Sequence, residues 1–171
     1  SNAAVNASNG GNRGNRRVTE TFANDQWAEI EFSADLPANY TFGVVLRGNA
    51  GGFGDENVGY YVNAVGTNGW NILRQSYGFT TLTSGTLSSG TWVSGDTLRG
   101  TVVGTTISLY RNGSLVGSTT DSDITSGKPG IFSSTDGDTD IAITSATFSD
   151  VFGGSTPVAV FSYHYGQQGI Q

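Results

Sequence analysis

Glu29 and Glu31 stand one residue apart in WAEIEF, residues 27–32, where polar and apolar side chains alternate. Alternate residues of a strand share a face, so the two carboxyls could act as a pair. Retaining cleavage of a glycosidic bond needs two carboxyls about 5 Å apart, one as acid and one as nucleophile. The same two residues equally form the polar outer face of a strand. Nucleophilic or general-base catalysis through histidine would rest wholly on His164 in FSYHYG, because the chain holds one histidine. One histidine cannot build a histidine-rich metal site. The absence of cysteine removes disulfides, thiolate metal sites and cysteine nucleophiles.

Calcium is a further chemistry. Asp136, Asp138 and Asp140 recur with period two in STDGDTDIAI, and carboxylates with loop carbonyls are the hard oxygens that calcium takes. The loop is no EF-hand, since Ile141 stands where the sixth position needs glycine and Thr147 where the twelfth needs glutamate. Asp121 with Asp123, and Asp55-Glu56-Asn57, are two smaller acidic loops. All three also read as ordinary turn chemistry.

Binding a sugar asks for an aromatic platform with amide, guanidinium or carboxylate groups in reach. The segment 55–77 is rich in these, with Asn57, Tyr60, Tyr61, Asn63, Asn68, Trp70, Asn71, Arg74, Gln75 and Tyr77. Arg47 and Asn49 end the strand before it. The expected ligand face is therefore Arg47, Asn49, Tyr61, Asn63, Trp70 and Arg74. Arg47 and Arg74 could instead pair with Glu29 or Glu31 across a polar sheet face. Trp27, Trp92, Phe42 and Phe132 are assigned to the core.

These residues must be carried by strands. Short runs of period two are separated by turn signals, and strong helical periodicity is missing throughout. Strands are expected over 27–32, 40–47, 60–65, 70–75, 80–87, 97–104, 106–111, 114–118, 131–133 and 141–150. Residues 122–127 could hold one helical turn. Asn112-Gly113 in YRNGSLVGS supplies the positive φ angles of a type I′ hairpin and pins 106–111 against 114–118. Arg111 is expected to be exposed there. Many short strands with regular turns mean an all-β sandwich or barrel.

The totals agree with this picture. A chain of 171 residues can form one domain with a real core. Fourteen acidic against eight basic residues give a net charge of −6, which leaves no basic footprint for nucleic acid. No apolar run approaches the length of a spanning helix, so membrane insertion by a helix is not expected. Residues 1–17 read as a tag scar (Ser1-Asn2-Ala3) and a flexible polar arm carrying Arg13, Arg16 and Arg17. Residues 18–154 read as the folded domain. Residues 155–171 form a tail whose Val158, Val160 and Phe161 could add an edge strand or dock on a neighbour, giving a homo-oligomer. Low charge with abundant glycine, serine and threonine suits an extracellular or virion-surface domain cut from a longer chain.

The run GDTLRGTVVGTTISLYRNGSLVGSTTDSDITSGKPGI, residues 95–131, is the most informative stretch. It resembles the concanavalin A-like lectin/glucanase superfamily, in particular its laminin-G-like domains. FANDQWAEIEF, VGYYVNAVGTNGWNIL and ATFSDVFGG resemble the early strand, central hairpin and closing strand of that family. The resemblance implies a two-sheet antiparallel jelly roll over residues 18–154. Members of the family bind glycans, serve in adhesion or hydrolyse saccharides. The glucanase branch carries Glu-x-Asp-x-x-Glu, but here Glu31 stands in place of the Asp and Ala34 in place of the final Glu. The expected function is a non-catalytic carbohydrate-binding or adhesion module without a certain cofactor, a structural calcium being the one candidate. A structural virion or appendage subunit is the first alternative, and a polysaccharide hydrolase or lyase the second.

Overall fold

A computed structural model describes residues 13–16, 21–49, 58–135 and 143–150. They form eleven strands and, among the described residues, no helix. In chain order these are β1 (Arg13–Arg16), β2 (Gln26–Phe32), β3 (Tyr40–Gly48), β4 (Gly59–Val65), β5 (Gly69–Gln75) and β6 (Phe79–Thr86). They continue as β7 (Thr97–Val103), β8 (Thr106–Arg111), β9 (Ser114–Thr120), β10 (Lys128–Thr135) and β11 (Ile143–Asp150). One sheet has six strands in the order β1-β10-β3-β4-β5-β6, and the other five in the order β11-β2-β7-β8-β9. The pairs are antiparallel throughout, so the chain is the expected jelly-roll sandwich.

Period-two burial explains why the two layers close. Ala28, Ile30 and Phe32 alternate inward on β2, as Leu98 and Val102 do on β7. They meet Val44, Leu46, Tyr60, Val62 and Ile72 of the opposite sheet in one core. Trp92, in the link from β6 to β7, is fully buried, meets the Phe32 ring edge-on at 5.7 Å and donates its indole N–H to the Gly69 carbonyl at 2.8 Å. Gly100 sits in the middle of this packing. A Cβ there would lie 2.6 Å from Val44 Cγ2 and 3.0 Å from Val62 Cβ, both on the facing sheet. Gly100→Ala should therefore overpack the sandwich and lower its stability by about 1–3 kcal/mol in urea titrations.

The Asn-Gly hairpin forms as expected, with φ of 49° at Asn112 and 78° at Gly113. Four other expectations are corrected. Residues 13–16, assigned to a flexible arm, form β1 against β10. Residues 122–127 hold no helical turn; the Asp121 carboxylate accepts the Asp123 N–H there. Trp27 lies on the outer face of the five-stranded sheet, half-buried under the Arg99 guanidinium at 4.5 Å, and Arg99 also pairs with Glu29 at 3.0 Å. Arg111 is held over Trp92 and bonded to buried Asp96 rather than turned to solvent.

Candidate functional site

A second apolar cluster can form on a sandwich where an outer sheet face is unusually apolar. The six-stranded sheet has such a face. On β3 and β4 both faces are buried, so Val44, Leu46, Tyr60 and Val62 turn to the core while Gly43, Val45, Tyr61 and Asn63 turn outward. Phe132 from β10 and Leu73 from β5 join Val45 and Tyr61. Tyr61 is the hub, with Phe132 edge-on at 5.1 Å and Phe79 edge-on at 5.2 Å, and those two rings lie 6.4 Å from each other, so the three form a triangle. Edge-to-face rings attract through their quadrupoles beyond the area they bury.

Amides form the floor beside these rings. Asn63 is fully buried and donates from Nδ2 to Asn71 Oδ1 at 2.9 Å across the β4–β5 pair. Its own Oδ1 accepts nothing, and neither does Gln75 Oε1 further along β5. Buried carbonyl oxygens are nearly always paired, and each orphan costs about 1–3 kcal/mol. Both unpaired oxygens belong to residues on the same sheet face. At the same end of the sheet the β5–β6 turn presents Tyr77, which is 87% exposed and has a left-handed φ of 61°. Such strain in a residue other than glycine gathers at functional positions.

The residues expected to bind ligand divide among three places. Tyr61 and Asn63 belong to this outer face. Arg47 is 4% exposed and donates to the carbonyls of Asn24, Ile124 and Gly104, each at 2.8 Å, with Asp25 at 3.5 Å. It clasps loops together and offers no guanidinium to solvent. Asn49, just after β3, accepts the Val58 N–H at 3.1 Å and closes the neck of the β3–β4 connection. Trp70 turns toward the core side, where its indole lies over Gly85 and Gly117 and its Nε1 is a third unpartnered buried atom. Arg74 lies opposite Tyr60 and bonds Asp121 at 2.8 Å and also Asp123. Neither Arg47 nor Arg74 pairs with Glu29 or Glu31 in the ways anticipated.

Arg74 belongs to a closed network. Tyr60 donates its hydroxyl proton to Asp121 at 2.7 Å and accepts the Ile124 N–H at 3.1 Å. Burial, and then the bond to Asp121, push the Tyr60 phenol up to about 12. Asp121 and Asp123 are thereby committed to an arginine, a tyrosine and a backbone N–H. Among the described residues no cluster of three metal-ligating side chains occurs. Asp136, Asp138, Asp140, His164 and Asp55-Glu56-Asn57 lie outside the described residues.

Phe79, Phe132 and Gln75 complete the face and were not among the expected ligand residues. Counting by two from Tyr61 through the Gly69 turn places Asn71, Leu73 and Gln75 on its side of the sheet, so Gln75 was within reach of the sequence. Phe79 and Phe132 were not, because their positions depend on strand order.

No family model matches the chain, and no curated protein matches it in sequence. Its fold does recur in solved structures. One is the carbohydrate-binding module CBM66 from Bacillus subtilis, with a TM-score of 0.60 at 16% identity, covering 84% of this chain and 81% of that one. Another is sheep galectin-11 in complex with glycerol, with a TM-score of 0.55 at 12% identity, covering 84% of this chain and 99% of that one. The chain therefore shares the two-sheet, lectin-like β-sandwich of a carbohydrate-binding module and a galectin.

Proposed function

We propose that the chain is a non-catalytic carbohydrate-binding module of the concanavalin A-like kind, part of a larger exported or virion-surface protein. The ligand site is the outer face of the six-stranded sheet, from Asn63 and Asn71 through Tyr61 to Gln75 and the Tyr77 turn. One observation carries the reading. Two buried amide oxygens, Asn63 Oδ1 and Gln75 Oε1, lack donors on a face lined with aromatic rings. Sugars offer both complements, hydroxyl donors for the oxygens and C–H faces for the rings. The fold shared with a carbohydrate-binding module supports the same reading.

Catalysis finds no support from Glu29, because its carboxylate is engaged by Arg99.

A glycan array followed by calorimetry tests the proposal. Gln75→Leu keeps the side-chain volume and removes the acceptor. It should weaken binding of whichever saccharide is found about tenfold, the equivalent of one hydrogen bond of about 1.4 kcal/mol. The melting temperature should hold or rise, since an unpaired buried oxygen has been removed. A folded wild-type protein that binds nothing on a broad array overturns the proposal.

A further inference from the structure

We infer that the outer face of the five-stranded sheet is a second saccharide site, where the Arg99 guanidinium and the Glu29 carboxylate grip adjacent hydroxyls of a neutral sugar. The inference extends the carbohydrate reading above to the opposite side of the sandwich and stands on different residues.

The register lines these groups up. Glu29, Arg99, Tyr110 and Leu115 are successive partners across β2, β7, β8 and β9. Their chain neighbours Ala28, Leu98 and Leu109 turn into the core, so the four side chains stand in one row on the outside. The row is open to solvent, with the Arg99 side chain 40% exposed and Leu115 59% exposed. From Arg99 to Leu115 it crosses two inter-strand spacings, about 10 Å. Two linked sugar rings cover that span.

Arg99 is held unlike two other arginines of the sandwich. Arg47 and Arg111 each place all three guanidinium nitrogens on protein oxygens. Arg99 spends only Nε, on Glu29 Oε2 at 3.0 Å, while its guanidinium carbon lies 4.5 Å from the centre of the Trp27 ring. Among the described residues neither Nη of Arg99 and not the Oε1 of Glu29 has a hydrogen-bond partner. The stack on Trp27 and the bond to Glu29 set the plane of the guanidinium before any ligand arrives, which lowers the cost of binding. An exposed ion pair of this kind adds little to stability.

A fixed fork of donors beside an acceptor suits a vicinal diol. Each hydroxyl oxygen accepts from one Nη–H, and one hydroxyl proton is donated to Glu29 Oε1. The C–H face of the sugar then lies along Tyr110 and Leu115. A carboxylated sugar fits worse. Glu29 already neutralises Arg99, and Glu31 stands two residues along on the same face of β2, so an added carboxylate meets like charge.

The test follows NMR signals of the full, isotope-labelled chain during titration. Cellobiose, lactose, maltose and sucrose are the neutral probes and glucuronate the acidic one. The Trp27 indole N–H and the Arg99 Nε–H report this face, and the Asn71 and Gln75 side-chain amides report the six-stranded sheet. We expect a neutral disaccharide to shift the Trp27 and Arg99 signals. Arg99→Met keeps the stem over Trp27, and Arg99→Lys keeps the charge but loses the fork. Each should weaken binding at this face at least tenfold and leave the midpoint read at Asn71 and Gln75 within twofold, with folding checked by circular dichroism. Arg99→Lys that binds as tightly as wild type overturns the diol grip. Unmoved Trp27 and Arg99 signals, while Asn71 and Gln75 shift, overturn the inference and leave the first site standing. Shifts at Trp27 and Arg99 alone support the inference and overturn the placement of the first site. No shift at either face overturns both. Preference for glucuronate overturns the neutral class. Broadening of the Trp27 and Arg99 signals on concentrating the protein without sugar makes this face a contact between copies and overturns the inference too.

Discussion

Asp96→Asn should destabilise the protein by about 3 kcal/mol, a large share of the 5–15 kcal/mol expected for a domain. Asp96 is 4% exposed and accepts from three directions: Arg111 Nε at 2.9 Å, Asn112 Nδ2 at 2.7 Å and the Val93 N–H at 2.9 Å. An amide in its place turns a donor toward donors and strands the Arg111 charge above Trp92. The damage reaches the hairpin, because Asn112 also fixes the start of β7 by accepting the Thr97 N–H at 2.8 Å. Burial alone would raise the Asp96 carboxyl, but the bonds from Arg111, Val93 and Asn112 outweigh it and hold the group below its ordinary value. A carboxyl depressed in the folded state contributes its full stability above the unfolded-state value and loses it as pH falls through the folded-state value. The urea midpoint of the wild type should therefore fall on acidification below about pH 4, and that part of the fall should be missing in Asp96→Asn. A variant within a few tenths of a kcal/mol of wild type at pH 7 would show that the network is dispensable.

This network also marks the reach of sequence reasoning. Asn112-Gly113 was legible because a two-residue loop needing two positive φ angles leaves few alternatives. The strands of the sandwich were legible for a similar local reason, period two bounded by turn residues. Trp27 illustrates a signal present but overridden: it alternates with Ala28, Ile30 and Phe32 and so belongs with Glu29 and Glu31, yet it was assigned to the core. What remained hidden depends on contacts distant in sequence. β3 and β4 are apolar on both faces, so their composition could not say that Tyr60 turns inward and Tyr61 outward. Glu29 finds Arg99 only because β2 and β7 are neighbours, 70 residues apart. Phe79 and Phe132 come together above Tyr61 through a sheet order that jumps from β3 to β10. The proposed ligand face was thus half legible: its amides and Tyr61 follow from one local hairpin, while its other rings follow from topology.

Arg47 gives the sharpest separation between a binding role and a structural one. Composition placed it on the ligand face; the fold gives its guanidinium three carbonyls on three separate segments. These are Asn24 before β2, Gly104 in the β7–β8 turn and Ile124 in the link from β9 to β10. Its backbone is equally committed. The φ of 50° ends the regular alternation of β3, and its N–H donates to Gln26 Oε1 at 3.1 Å. Arg47→Met fills much of the volume but leaves the three carbonyls without the guanidinium donor and Asp25 without its counter-charge, and should cost about 3–5 kcal/mol in chemical denaturation. Arg47→Lys should recover less than half of that, because one ammonium cannot span the three acceptors that a planar fork reaches. Saccharide affinity, measured on the folded fraction, should not change in either variant, since the guanidinium points away from the outer face and into the loops. Loss of binding at unaltered stability would return Arg47 to the ligand site and require the guanidinium to leave its three carbonyls when a saccharide arrives.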